Sequence, residues 1–150
     1  METLYSIISN KIFISGLFSY ITSQTIKISI GIIKTKRFSL WDLIFVQGGF
    51  PSSHSASVVS ATSAILFFEG PTSTFMLAVL FTFIVLIDAT GVRWETGKQA
   101  RLLNEIMRNN DLVIKEFKDK FVENIGHTPL QILGGSIVGV IVAIIIHYMF

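Results

Sequence analysis

Residues 126–150 read GHTPLQILGGSIVGVIVAIIIHYMF. From Thr128 to Phe150 this stretch contains no Asp, Glu, Lys or Arg. It is at least as long as the roughly 20 apolar residues that a membrane-crossing helix needs. Pro129 suits the first turn of a helix, and Thr128 can cap it. Gly134, Gly135 and Gly139 fall on its early turns. Gly135 and Gly139 stand four apart, a spacing that lets another helix approach closely in lipid.

Three more apolar segments lie upstream. The first runs from about Leu4 to Ile33 and carries Lys11, Gln24 and Lys27. It exceeds one span, so a break near Ser19–Ser23 or a tilt is expected. It lacks a basic n-region and a clear small-residue cleavage site, and reads as a retained span. The second runs from Ser52 to Phe68 and is rich in Ser, Ala and Thr; Glu69-Gly70-Pro71 breaks it from a third, Ser73 to Ala89. The fold expected is all-α: one membrane domain over residues 1–150, a helical bundle of four spans at 4–33, 52–68, 73–89 and 128–150.

Composition agrees with lipid as the solvent. Of the 150 residues, 51% are hydrophobic and 15% charged, against roughly 25% charged in a soluble domain. Cysteine is absent, which excludes disulfides and thiolate metal sites and leaves the redox compartment unread. A net charge of +2 does not imply nucleic acid.

The polar stretch Gly91–Gly126 carries Leu103, Met107, Ile114, Phe117 and Phe121 at helical spacing, with Asn110 filling the gap. It reads as one or two amphipathic helices that lie at the interface, cap the bundle or pair with another subunit. Four spans make a thin bundle, so a homodimer joined through this stretch is a candidate assembly. Ten of the twelve basic residues fall either in Lys34–Arg37 or in Gly91–Gly126. The positive-inside rule makes those two loops cytoplasmic and puts both termini on the opposite side.

With that topology the polar residues of all four segments meet at the cytoplasmic face. These are Gln24 and Lys27; Ser52, Ser53 and His54; Asp88 and Arg93; His127 and Thr128. PSSHS (51–55) and GHTP (126–129) each open a helix beside a histidine. Helix N-termini present free N–H groups and attract phosphate. Gln24 and Lys27 share one helix face. Asp88 is a costly charge in a span, with Arg93 or Lys27 as its partner. His147 lacks such company and reads as interfacial. Two histidines, two cations and two helix N-termini suit an anion, and phosphoryl transfer needs little more than positioning, charge stabilisation, a nucleophile and an acid. A substrate reaching this face from the bilayer is a lipid phosphate or diphosphate. Two rings within about 4–8 Å could share one phosphate, given hydrogen-bond reach on each side.

These residues resemble a known family. GHTPLQILGGSIVGV (126–140) is similar to the last motif of the type 2 phosphatidic acid phosphatase and vanadium haloperoxidase superfamily, and PSSH resembles its PSGH. GGFPSSHSASV, DATGVR, GKQA, LLN and GHTP in this order resemble its divergent bacterial and plant branch more closely. The resemblance covers about Gln24 to Val140. It implies His127 as the phosphoryl-accepting nucleophile and His54 as general acid, with Ser52, Ser53 and Lys27 on the phosphate, and neither metal nor cofactor. Three features depart from the family pattern. The Asp four residues after the nucleophile is Gln131, which can accept from the imidazole but stabilises imidazolium less. The Ser-Arg pair before the nucleophile is missing, with Phe121 where Arg would stand and Arg93 as a substitute from segment three. The Arg-Pro of the first motif has no clear match.

Three functions compete. The first is a membrane phosphatase acting on a lipid phosphate or diphosphate through a phospho-histidine. The second is a catalytically weak or inactive membrane protein that binds lipid phosphate or serves as a scaffold or transport subunit; Gln131 and the missing Arg favour it. The third is a metal-dependent phosphotransferase using Asp88, Glu95 and Glu105, because DATGVR resembles the DGxxAR of CDP-alcohol transferases. Further acids expected there are missing.

Overall fold

The computed structural model describes residues 2–35, 49–108, 121–123 and 126–150. Among them every regular element is helical: α1 (Glu2–Ile8), α2 (Lys11–Thr35), α3 (Ser53–Glu69), α4 (Ser73–Thr90), α5 (Val92–Arg108) and α6 (Pro129–Met149). Asn110, Ile114 and Phe117 of the expected amphipathic series, and Lys36 and Arg37 of the first basic loop, lie outside the described residues.

The first segment breaks elsewhere than its length suggested. Asn10 stands between α1 and α2, and its Oδ1 accepts from the backbone N–H groups of Ile12 and Phe13, both at 3.0 Å. This is N-cap geometry, and it starts a new helix. From there α2 runs unbroken through Ser19 and Ser23. Both serines are fully buried on the bundle side of that helix. At 25 residues and about 1.5 Å per residue, α2 outreaches a hydrocarbon core of about 30 Å.

Small residues draw the helices together. α3 lies at the centre, packed against α6, α2 and α4, and α2 also touches α6. A Cβ on Gly139 would stand 2.5 Å from the Ala56 carbonyl and 3.0 Å from the Ser60 N. One turn earlier, a Cβ on Gly135 would strike the Ser52 carbonyl. Glycine is required at both, because backbone cannot swing aside. On the other flank Ser60 Oγ meets Ser15 Oγ at 2.8 Å and Ser57 Oγ donates to the Gly16 carbonyl at 3.0 Å. Thr62 and Thr82 join α3 to α4 at 2.8 Å.

The arrangement inverts a water-soluble core. Among the described residues the largest fully buried side chains are Pro51 and six serines. Leu77, Leu80, Phe81, Phe83 and Ile84 of α4 face outward instead, and Leu77 is 69% exposed. Contiguous apolar surface on this scale marks contact with a partner or a membrane. Among the described residues two stretches, Ser73–Arg108 and Pro129–Met149, are long and apolar enough to cross one.

Between α4 and α6 the chain forms a single described amphipathic helix, α5, that turns off α4 at Gly91. Asn104 is buried in its last turns and clamps residues 121–123. Its Nδ2 donates to the Phe121 carbonyl at 2.8 Å and to Glu123 Oε1 at 2.9 Å, while its Oδ1 accepts from the Phe121 N–H at 2.9 Å.

Candidate functional site

The polar residues of four segments converge at one end of the bundle. Ser52 is the N-cap of α3; its Oγ accepts from the Ser55 N–H at 3.3 Å and the Ser55 hydroxyl at 2.9 Å. The Ser52 side chain is fully buried, and in both of these bonds it accepts, which builds the helix terminus. Its backbone N–H donates to the Gln131 carbonyl at 3.0 Å, which ties the start of α3 to the first turn of α6.

Thr128 caps α6 in a capping box: its Oγ1 accepts from the Gln131 N–H at 3.3 Å, and Gln131 Oε1 accepts from the Thr128 N–H at 3.0 Å. The same Oε1 lies 3.2 Å from His127 Nδ1. An oxygen already bonded to an N–H can only accept from the imidazole as well. That assignment puts the His127 proton on Nδ1 and leaves Nε2 with a free lone pair. Gln131 thus stands within acceptor distance of the imidazole, where the sequence puts a neutral group in place of a carboxylate.

Across the α3–α6 seam, the His54 and His127 ring centroids stand 6.3 Å apart, tilted by 52°. Lys27 is buried and donates from Nζ to Ser53 Oγ at 3.4 Å. Its Cγ lies 3.4 Å from where a Cβ on Gly49 would sit, so the φ of +90° at Gly49 brings bare backbone over the lysine stem. Gln24, one turn earlier on α2, is buried and donates to the Tyr20 hydroxyl at 3.2 Å. No salt bridge engages Lys27 among the described residues. Asp88 takes Arg93 as its partner instead, through Nε at 2.5 Å.

Arg93 reaches the site through backbone contacts that no spacing rule signals. The His127 N–H donates to the Ala89 carbonyl at 3.0 Å. Gly126, at φ +91°, lies against the backbone of Arg93 and Trp94, where a Cβ would collide with the Trp94 N. The end of α4 and the start of α5 thus form a wall beside His127. Burial pushes the His127 imidazole below its usual proton affinity; the Gln131 hydrogen bond opposes this, and the charges of Lys27, His54 and Arg93 reinforce it. A neutral His127 at pH 7 follows.

Sequence reasoning missed the Asn104 clamp and the Gly126–Trp94 contact. Asn104 closes the LLN run (102–104), the one available signal, but its partners lie 17 and 19 residues on. His147 sits at the other end of α6 among Phe67, Phe68 and Tyr148, its ring 5.1 Å from Phe68. Among the described residues no group of three or more His, Cys, Asp or Glu could hold a metal ion. Asp88, Glu95 and Glu105 therefore do not form the centre that a metal-dependent transferase would need.

Comparison with known proteins bears on the order of the motifs. The model of the Divergent PAP2 family matches residues 8–142. A relative described as an uncharacterized membrane protein, YuiD of Bacillus subtilis (strain 168), is 30% identical over 156 aligned positions, covering 96% of this chain and 98% of that protein. No solved structure matches. A family match over most of the length, and a membrane relative aligned nearly end to end, leave one conclusion: the chain belongs to the Divergent PAP2 family.

Proposed function

We propose that the protein is a multi-pass membrane phosphatase that hydrolyses a lipid phosphate or diphosphate through a phospho-histidine on His127. The observation that carries this reading is the His54–His127 pair at 6.3 Å, with Gln131 Oε1 against His127 Nδ1. One phosphoryl group fits between two imidazoles at that separation, within hydrogen-bond reach of each.

The chemistry balances with residues of this chain. The His127 Nε2 lone pair attacks phosphorus as the bond to the lipid oxygen breaks. His54, protonated, gives its proton to that oxygen. Water then attacks the phosphoryl group, His54 takes a proton from it, and the P–N bond breaks to release phosphate. Lys27 and Ser53 hold the phosphoryl oxygens, and the dipoles of α3 and α6 add to the attraction. Arg93 supplies the second cation.

Four spans are the topology we assign. α2 and α3 pack beside α6, and α6 is long and apolar enough to cross. Serine-to-serine bonds between α2 and α3 suit helices packed in lipid. The excess of Lys and Arg in the two loops puts the site at the cytoplasmic face, with both termini opposite.

Phosphate release by the purified chain from a lipid phosphate tests this. The activity expected is insensitive to EDTA and lost in both His54→Ala and His127→Ala. Release that persists in either variant, or that EDTA abolishes, overturns the mechanism. The neutrality of Gln131 favours a second reading, a lipid-phosphate binder. It predicts saturable binding without turnover.

A further inference from the structure

Among the described residues Asp88 is the one carboxylate beside the cations of this site, and phosphoryl transfer as described above gives it no task. It pairs with Arg93 across the Gly91 turn, and both side chains are about half exposed, at 41% and 53%. The bland account is a staple for the corner between α4 and α5. That corner already holds itself: the Gly91 N–H donates to the Ile87 carbonyl at 2.7 Å and the Glu95 N–H to the Gly91 carbonyl at 3.0 Å. The ion pair is not needed to form it.

The pair stands at the corner that packs against the start of the His127 segment. Its corner is fastened to the nucleophile by the bond from the His127 N–H to the Ala89 carbonyl, at 3.0 Å, and by the contact of Gly126 with the Arg93–Trp94 backbone. Asp88 engages the guanidinium through Nε, one of its five N–H donors. Exposed pairs of this kind are weak, and a guanidinium fork matches phosphate oxygens two at a time.

We propose that Asp88 is a positioning residue that holds Arg93 in reserve, and that Arg93 exchanges the Asp88 carboxylate for phosphoryl oxygens when a phosphate ester enters. Asp88 thereby keeps the arginine near His127 and out of the surrounding headgroups, and it competes with the substrate for that arginine. This rests on the phosphate-site reading above.

The test measures the affinity of the full-length chain in detergent for inorganic phosphate, by calorimetry, in a double-mutant cycle. Asp88→Asn is expected to tighten binding about two- to fivefold, the equivalent of an exposed pair that no longer has to be broken. Arg93→Gln is expected to weaken binding. Asp88→Asn added to Arg93→Gln is expected to do nothing, because the competition is gone. Weaker or unchanged binding in Asp88→Asn overturns the exchange and restores the staple. Equal tightening with and without Arg93 also overturns it, since Asp88 then acts by plain repulsion. Phosphate binding by none of the four forms sinks the phosphate site itself, and the exchange with it. Should Asp88→Asn fail to fold, the wild-type chain labelled with 15N-arginine gives the answer: one of four Arg Nε resonances, absent from Arg93→Gln, moves on adding phosphate. No movement overturns the proposal.

Discussion

Gln131→Glu is the substitution that most directly probes the site. It preserves the length of the side chain and replaces a neutral acceptor with a carboxylate at the same place. Oε1 of Gln131 lies 3.2 Å from His127 Nδ1 and 3.0 Å from the Thr128 N, so both donors find a partner in either side chain. A neutral hydrogen bond contributes about 0.5–1.5 kcal/mol and one to a charged group about 1.5–3 kcal/mol. The difference, about 1–1.5 kcal/mol in favour of imidazolium, corresponds to a rise of about one pH unit in the His127 titration. In the native chain burial holds that titration below the ordinary histidine range. The nucleophile must be neutral, so phosphate release falls as pH drops through this titration. In the Gln131→Glu variant the acid limb should move up by about one pH unit, and the rate of the correctly protonated form, bounded at higher pH by loss of the His54 proton, should rise by up to about tenfold. The limb is read from a pH–rate profile. The titration is read independently by 15N NMR, in a chain with only three histidines. A folded Gln131→Glu protein whose His127 titrates where the native one does would refute the contact on which the mechanism is built.

Other consequences are separable by experiment. Gly139→Leu should lower the unfolding temperature and disperse the α3–α6 packing, because overpacking against backbone costs about 1–3 kcal/mol or more; Gly31→Ala, with nothing within 4 Å of its Cβ, should be neutral or gain up to about 1 kcal/mol in helix propensity, both measured by thermal melts in one detergent. Asn104→Ala removes three hydrogen bonds to residues 121–123 and should cost about 1–3 kcal/mol, with faster proteolysis ahead of Gly126 and reduced phosphate release. Thr128→Val keeps the shape but deletes the cap of α6 and should cost about 1 kcal/mol, again as a lowered melting temperature.

Much of this architecture can be read in the sequence, and the rest is hidden for physical reasons. Gly135 and Gly139 signal a close helix contact because their spacing repeats one helical turn. Structure adds only the partner, the Ser52–Ser60 face of α3. Which serine of PSSH is the cap and which reaches Lys27 cannot be read from residue type, since either has the same hydroxyl. The answer depends on where α3 begins, and it begins after Ser52. The break falls at the polar triplet Ser9-Asn10-Lys11, too short to stand out in a hydropathy reading of the first segment. The route that brings Arg93 to His127 depends on backbone-to-backbone contacts at Ala89 and Gly126, and such contacts leave no mark on side-chain pattern.

The departure at Gln131 then acquires a physical meaning. A carboxylate at that position would strengthen the nucleophile, but it would also place a negative charge beside a phosphate that already carries one or two. With glutamine there, Lys27 and Arg93 face the anion with Asp88 alone opposing them among the described residues, and the helix N-termini of α3 and α6 add to the attraction. The local field therefore favours capture of phosphate over attack on it. Gln131→Glu should show both sides of that balance at once: faster chemistry per bound substrate and weaker binding of inorganic phosphate. Were the substitution to strengthen binding and rate together, the charge of the site would lie elsewhere than in these residues.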